Sequence, residues 1–321
     1  MIKIKILLLP KFELNELTGE TPGEAQAFYR EYFKNSESYT VRGGYPGSKL
    51  CVNARGAAMY ITGMGKVNVT ASLTALLSDT RFDFSEALIL SIGCAGGSAG
   101  YAVMGDVFVL TSAADFDIGH HADIRDMENR ESPVTWFHDA SYDDVSITHM
   151  NSALTERIYA LVRDISLDTT PRTQRFMARE FKNAPWALRA PKVLKGSTVS
   201  SDNFWKGAYD HNNAEYICRY YGCQDPYALC EMEDSAIGAV LRRFSLESHY
   251  AAIRACVNMD VFMNGDTPEK LWNPAYQSTM IASDDNTESA DIFPTAMQNN
   301  FRVVSTLISA VLDGKFDEVL K

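Results

Sequence analysis

The sequence holds no run of about 20 predominantly apolar residues, the length a helix needs to cross a bilayer. Its nearest approach is LILSIGCAGGSAGYAVMGDV (88–107), in which Ala87 to Gly105 carry no charged side chain. Five of those residues are glycine, serine and alanine dilute the rest, and Asp106 follows at once. The stretch therefore reads as a buried strand over Ala87–Ile92, a glycine turn, and a second strand, VFVLTSAA, from Val107. No membrane span is expected. Positive charge is also scarce: 30 Lys and Arg stand against 41 Asp and Glu, a formal net charge of −11. Phosphate backbones demand clustered Lys and Arg, so no nucleic-acid partner is expected. A small neutral or cationic ligand suits that charge, whereas a phosphorylated one would need local basic residues.

Cysteine is sparse and unpatterned. The six residues (51, 94, 218, 223, 230, 256) form no CxxC pair. Cys218, Cys223 and Cys230 are loosely grouped, but without a histidine at ligand spacing. This predicts reduced, buried thiols, no metal and a cytoplasmic location. A signal peptide is not expected either. In MIKIKILLLPKFE the fully apolar run, Ile6 to Leu9, ends at Pro10, and no small-residue cleavage site follows. The alternation of Ile2, Ile4 and Ile6 instead predicts a first strand that becomes fully buried.

What is present is an alternation of strand-like and helix-like segments along 321 residues. KIKILLL is a strand. GEAQAFYREYF is helical, with Ala25, Phe28 and Phe33 on one face, and CVNARGAAMYITGMG is a hairpin or strand pair. KVNVTASLTALLSD follows Gly65 as a helix, and NSALTERIYALVRDI is a helix with Asn151 or Ser152 as its N-cap. KVLKGSTVSS is a strand and Asn213–Tyr221 a helix. In EMEDSAIGAVLRRF the residues Ile237, Val240, Leu241 and Phe244 fall at helical spacing. YAAIRACVN and FRVVSTLISAVLDG close the pattern as strand and helix. Such alternation predicts a sheet covered by helices. With no Pro/Gly/Ser linker, one domain over 1–321 is expected, with a lid or insertion at 117–147.

Four segments could carry chemistry. ITGMGKVNV (61–69) sets Gly63 and Gly65 between a strand and a helix, where bare backbone N–H groups can face a ligand; a tight turn alone explains them as well. CEMEDSAIG (230–238) brings three carboxylates together beside an apolar helix. They could simply complement the helix dipole. If the backbone is still extended there, however, Glu231 and Glu233 face one side, and an ionised carboxylate can accept both hydrogen bonds of a sugar diol. STVSSDNFWKG (197–207) offers Phe204 and Trp205 for stacking on a flat base, or for core packing. DIGHHAD holds His120 and His121, which read as part of a polar loop, because adjacent histidines rarely share one ion.

Taken in order, FELNELTGETPGEAQ (12–26), GMGKVNVTASLTALLSDTRFDFSEA (63–87), IGCAGG (92–97), GHHADIRDM (119–127), TVSSDNFWKG (198–207), EMEDSAIGAVL (231–241) and IRACVNMD (253–260) resemble the purine nucleoside permease family. That family is similar in turn to the nucleoside phosphorylase and nucleosidase superfamily. The resemblance implies a three-layer α/β/α sandwich with a central mixed, partly barrel-like sheet, and a homo-oligomer. It also implies roles. Met232 and Glu233 match the pair that packs under a ribose and binds its 2′- and 3′-hydroxyls. Phe204, beside Trp205, matches an aromatic that stacks on the base. Asn258 stands where adenosine-cleaving relatives place an aspartate that protonates purine N7. Glu13 matches an acid that positions water. The Gly63–Gly65 loop and the Gly93, Cys94, Ala95, Gly96 loop would border the pocket on the phosphate or water side.

Two departures sharpen the expectation. Ser91 and Cys94 occupy loop positions where phosphorylases set an arginine and a serine, so the loop lacks a cation for phosphate. An amide at 258 cannot deliver a proton, but it can donate and accept at a 6-oxopurine edge. The expected activity is cleavage of the N-glycosidic bond of a purine-type nucleoside, by water in preference to phosphate. Glu13, Glu233, Asn258 and Arg254 would carry it, Arg254 and Arg125 being the nearest candidates to stabilise a leaving group. No cofactor is expected, and phosphate only if the enzyme is a phosphorylase. The rivals are a nucleoside-binding protein that serves uptake without catalysis, and a phosphorylase whose arginine comes from elsewhere.

Overall fold

Apolar runs flanked by glycine or polar residues form the central strands, and nearly every side chain in those is buried, whereas the edge strand Glu37–Thr40 is polar and mostly exposed. The computed structural model describes all residues except 15, 20–21, 123–135, 138–139, 182–183, 262–291 and 321. The strands of the main sheet are β1 (Ile6–Leu9), β2 (Glu37–Thr40), β3 (Lys49–Val52), β4 (Ala57–Met59), β5 (Leu88–Gly97), β6 (Val107–Asp115), β7 (Ile147–His149), β8 (Val193–Ser200), β9 (Tyr227–Glu231) and β10 (Tyr250–Met259). The helices that concern the site are α1 (Lys66–Leu77), α2 (Ser152–Val162), α3 (Pro171–Glu180), α4 (Ala208–Tyr220), α5 (Asp234–Arg243) and α6 (Ile292–Leu312).

The ten-stranded sheet runs in the order β7-β6-β8-β9-β5-β1-β4-β3-β2, and β10 pairs with both β5 and β6. This double pairing closes a ring, β5-β9-β8-β6-β10, so the centre of the sheet curls into a small barrel. β10 runs parallel to β5 from Tyr250↔Ile89 to Met259↔Gly97, and antiparallel to β6 at Ile253↔Val109. The fold is a mixed α/β architecture whose central sheet forms a partial barrel, as expected.

Local rules place most elements. Asn151 caps α2 by accepting from the Ala153 and Leu154 N–H groups. Ala25, Phe28 and Phe33 are buried together, although the helix that carries them passes from an α turn at Gln26–Phe28 into a π turn at Tyr29–Phe33. α3 is an element the apolar periodicity gives no sign of. Its signal is Thr170-Pro171, an N-cap followed by proline in the first turn.

One expectation needs correcting. Gly93–Gly97 is not a turn: β5 continues through it. Gly96 pairs with Cys230 on β9 and with Asn258 on β10, and Gly97 with Leu229 and Met259. A Cβ on Gly96 would stand 2.8 Å from the Cys230 sulfur, so glycine is what lets the barrel close at this point. Of the lid predicted at 117–147, residues 123–135 and 138–139 lie outside the described residues.

Candidate functional site

Where β9 ends and α5 begins, the chain needs partners for the first N–H groups of the helix. Glu231 supplies them: its Oε2 accepts from the Glu233 and Asp234 N–H groups at 2.6 and 2.8 Å. Ser200 Oγ accepts the Ser235 N–H at 2.9 Å and donates to Glu231 Oε1 at 2.5 Å. Glu231 and Glu233 also face one side, since Arg254 Nη2 donates to both at 3.0 Å. The same guanidinium binds Asp234, Nε to Oδ2 and Nη2 to Oδ1, both at 3.0 Å, and Nη1 donates to the Cys94 carbonyl. Arg254 is 1% exposed.

A second cation sits behind the first. Lys11 Nζ, also buried, donates to the Leu9 and Ile92 carbonyls and to Ser91 Oγ, whose hydroxyl passes a hydrogen bond on to Asp234. Four carboxylates (Glu24, Glu231, Glu233, Asp234) thus gather around two cations, all of them buried. The imbalance spreads their acidities. Burial and the Asp234 charge push Glu231 up to about 8. Burial acts on Asp234 too, but Arg254 and Lys11 outweigh it and hold that carboxyl at about 2. Burial also raises Glu233, against the pull of Arg254 and Lys11, and lowers Lys11.

Both glycine segments touch this cluster. Gly65, at φ +86°, turns its N–H onto Glu233 Oε1 at 2.9 Å. At Gly93 the neighbour is Glu24, whose Oε1 would lie 2.1 Å from a Cβ there. Glu24 Oε1 accepts the Cys94 N–H at 2.8 Å and Oε2 accepts the Lys11 N–H at 2.7 Å. The Cys94 N–H, which could have faced an external anion, already holds one of the protein's own. Glu13 lies one step further out. Its carboxylate accepts from the N–H groups of Gly23, Ala25 and Gln26, which flank Glu24, and from Leu14.

Asn258 follows a register shift between Cys256 and Asn258 in β10, the kind of irregularity that re-aims a side chain. Its Oδ1 lies beside Gly96 with the Cys230 sulfur, and no hydrogen bond from the described residues engages the amide. Met232, between the two glutamates, is half-buried. Gly63, at φ +83°, lies against Tyr45. Phe204 stands at the rim, 81% exposed, while Trp205 stacks on Phe116 with centroids 4.9 Å apart. These two rings, with Asp117, His121, Asn203 and Asp210, line a separate cavity of about 260 Å³. The 201–205 segment is pinned to the glycine loop: Asp202 accepts the Lys66 N–H, and Asp117 binds Ser201, Asp202 and Lys66. Arg125 lies outside the described residues.

The structure therefore brings Glu233, Arg254, Gly65, Gly93 and Cys94 into one network, with Met232 between its glutamates. Asn258 stands beside Gly96, and Phe204 and Trp205 lie at the edge. Lys11 and Glu24 belong to the network without having been singled out from sequence, and Asp234 is the third carboxylate of the 230–238 segment. The signals were there: a lysine one residue after an apolar strand and its proline, and glutamate in the PGE step.

This partial-barrel fold is that of nucleosidases. The 5′-methylthioadenosine/S-adenosylhomocysteine nucleosidase of Neisseria meningitidis superposes with a TM-score of 0.56 over 97% of this chain and 100% of its own, at 16% identity. At that identity the likeness is one of fold. Residues 3–319 match the model of the purine nucleoside permease family, and the chain belongs to that family. Among curated relatives, the Schizosaccharomyces pombe protein named "Probable purine nucleoside permease" is 23% identical over 214 residues, 61% of each chain. The purine nucleoside permease of Candida albicans is 25% identical over 197 residues, 57% of this chain and 48% of its own. The matches thus span about half to three-fifths of those relatives. Among the described residues, no helix is long and apolar enough to cross a membrane.

Proposed function

We propose that this chain binds a purine-type nucleoside and hydrolyses its N-glycosidic bond. The observation that carries the choice of water over phosphate is Glu24 seated against Gly93 and Cys94 of β5. A phosphate dianion there would displace or face a buried carboxylate, and the cations nearby are committed. Lys11 has its three protons on protein oxygens, Arg254 is shared among three acids, and Lys66 is bound to Asp115 and Asp117.

In this reading the ribose hydroxyls donate to Glu233, whose two oxygens each keep a lone pair beyond the Gly65 and Arg254 bonds. Arg254 fixes the carboxylate and, with Lys11, works against the burial that raises it. Glu24, likewise with a lone pair to spare on each oxygen, orients a water toward C1′. As the C1′–N bond breaks, positive charge grows on the sugar beside these two acids, and the water delivers hydroxide to C1′ while its proton ends on the departing base. Asn258 donates and accepts at the edge of the base, which favours 6-oxopurines. Met232 packs beneath the sugar and Phe204 closes over the base from the rim. Glu13, bound to the backbone on both sides of Glu24, is a positioning residue.

The test is incubation with inosine, guanosine and adenosine, with and without phosphate, followed by chromatography of free base. Free base in equal yield under both conditions supports the hydrolase, and Glu24→Gln should then lower the rate by about 10²–10⁴-fold. A strict need for phosphate would overturn water as acceptor and leave the nucleoside site standing. The family's name favours a second reading, a binder that serves uptake; nucleoside binding without any free base would establish it.

A further inference from the structure

Cys218 and Cys223 lie apart from the acidic cluster, in a second small core with Ala114, Phe116, Val199, Ile217 and Tyr227. They are brought together by the way α4 ends. The Cys223 N–H donates to the Cys218 carbonyl at 2.9 Å, the Gly222 N–H donates to the Arg219 carbonyl at 3.2 Å, and Gly222 has φ +62°. This crossed pair of bonds with a left-handed glycine is a Schellman cap, which places the side chains of its first and last residues in contact. In most helices that contact is between two apolar side chains. Here the two residues are cysteines, and both pack into the same small core.

We propose that Cys218 and Cys223 form an oxidant-sensitive dithiol, closed to an intramolecular disulfide by hydroperoxides and reopened by small thiols. Cys223 is the attacking sulfur. It is the half-buried one of the two, whereas Cys218 is 3% exposed. The Ser112 and Ser197 hydroxyls lie against it, and Ser112 is in turn bonded to His149 Nδ1 at 3.1 Å. The hydrogen bond from Cys218 outweighs burial and, with those hydroxyls, draws the Cys223 thiol below its ordinary range, while the same bond and burial raise Cys218. The Cys223 thiolate attacks the terminal peroxide oxygen; the O–O bond breaks, giving Cys223 sulfenic acid and water (or an alcohol). Cys218 sulfur then attacks the sulfenic sulfur, the S–O bond breaks and a second water leaves. Two electrons pass from the thiols to the peroxide. No other cysteine pair among the described residues shares this arrangement, so the remaining thiols should stay reduced.

Trypsin makes the proposal readable, because Arg219 separates Cys218, in peptide 207–219, from Cys223, in peptide 220–242. The full-length protein is treated with hydrogen peroxide, unfolded, alkylated, digested and mapped. The expected product is the two peptides joined through Cys218 and Cys223, with fragment ions placing the bond at Cys223 and not at Cys230 of the same peptide, lost on dithiothreitol treatment, with Cys51, Cys94, Cys230 and Cys256 alkylated as free thiols. Cys218→Ser should leave a sulfenic acid on Cys223 that dimedone captures, and Cys223→Ser should leave Cys218 unmodified. Oxidation spread evenly over the six cysteines of the unaltered protein, or first at Cys51 or Cys94, would overturn the proposal without reference to either variant. So would a Cys218→Ser protein whose Cys223 resists dimedone.

Discussion

Arg189 and Arg254 both meet buried carboxylates, in opposite proportions. Arg189 meets one acid: Nη1 and Nη2 donate to the two oxygens of Asp106 at 2.6 and 2.5 Å, and the Val103 and Lys192 N–H groups bind the same carboxylate. That is one charge of each sign in forked geometry, the arrangement a scaffold favours. Arg254 meets Glu231, Glu233 and Asp234, with Lys11 and Glu24 close behind. Burial raises Asp106 as well, but one arginine and the Val103 and Lys192 N–H groups answer it. Surplus buried negative charge destabilises a fold, so where a structure keeps it, the surplus points to chemistry. The difference teaches that burial alone does not mark the site. Imbalance does.

The comparison breaks most sharply at the acids. On the proposed function, Glu233→Gln would remove two charge-assisted bonds to a sugar diol, each worth about 1.5–3 kcal/mol, so turnover should fall by about two to four powers of ten. Its melting temperature should stay near that of the unaltered protein, because the neighbouring acids gain what the lost charge releases. Asp106→Asn should do the reverse, lowering Tm while sparing turnover at temperatures where the protein is folded. Steady-state rates and melting curves on both variants decide this, and a Glu233→Gln enzyme as active as the original would remove the ribose assignment.

The arginines themselves come next. Arg254→Met leaves three acids without their partner and should cost about 3–5 kcal/mol at neutral pH. Part of that loss should return at pH 5, where the stranded carboxyls take up protons. Arg189→Met strands a single acid that keeps two backbone donors, so a loss of about 1–3 kcal/mol with little acid rescue is expected. Urea unfolding at the two pH values separates them, and equal acid rescue in both variants would dissolve the contrast.

Within the overloaded cluster, Glu231 should govern stability between mildly acid and mildly alkaline pH. Its carboxyl keeps a proton up to about pH 8 when folded, but only to about 4.3 in an unfolded chain. The folded state therefore holds the extra proton between those values, and the associated stability, full below about pH 4, is lost as pH rises through 8 at up to about 1.4 kcal/mol per unit. Asp234 acts in the opposite window: held at about 2, it contributes above the ordinary aspartate range and fails only in strong acid. Glu231→Gln stays neutral throughout and keeps an oxygen for the Glu233 and Asp234 N–H groups. Unfolding free energies measured from pH 5 to 8 should fall less steeply with pH in the variant. The same slope in both would mean that another group carries the proton.

Much of the fold was legible in local patterns, because burial of β1, α5 and α6 is written in consecutive residues. The site was legible only in part. EMED announces carboxylates, yet nothing near it says that Arg254 lies across from three acids, or that Lys11 reaches the same cluster through Ser91. Those partners come from strands brought side by side by the barrel closure of β10 on β5 and β6, a pairing across more than a hundred residues that no short window records. Glycine misled for a related reason. In IGCAGG it suggests a turn, whereas it serves close approach of Glu24 at Gly93 and of Cys230 at Gly96, and both neighbours arrive from distant segments.

The smallest effect expected is also the one that separates Glu13, which the sequence pointed to, from Glu24, which it did not. Glu13 accepts from four backbone N–H groups, those of Gly23, Ala25 and Gln26 holding the chain on either side of Glu24. Glu13→Gln keeps one oxygen, turns an amide NH₂ toward donors that need an acceptor, and should cost about 1–2 kcal/mol in holding that turn. Glu24 would then sit less well against the Cys94 and Lys11 N–H groups, so kcat should drop by about tenfold for about 1.4 kcal/mol. KM for the nucleoside should barely move, since in the proposed arrangement neither the diol nor the base edge would touch this segment. Glu24→Gln, by contrast, removes the acceptor for water and should lose about 10²–10⁴-fold in kcat. Measured side by side, a Glu13→Gln enzyme as dead as Glu24→Gln would make Glu13 itself the residue at the water; a tenfold loss with KM unchanged places it one step behind.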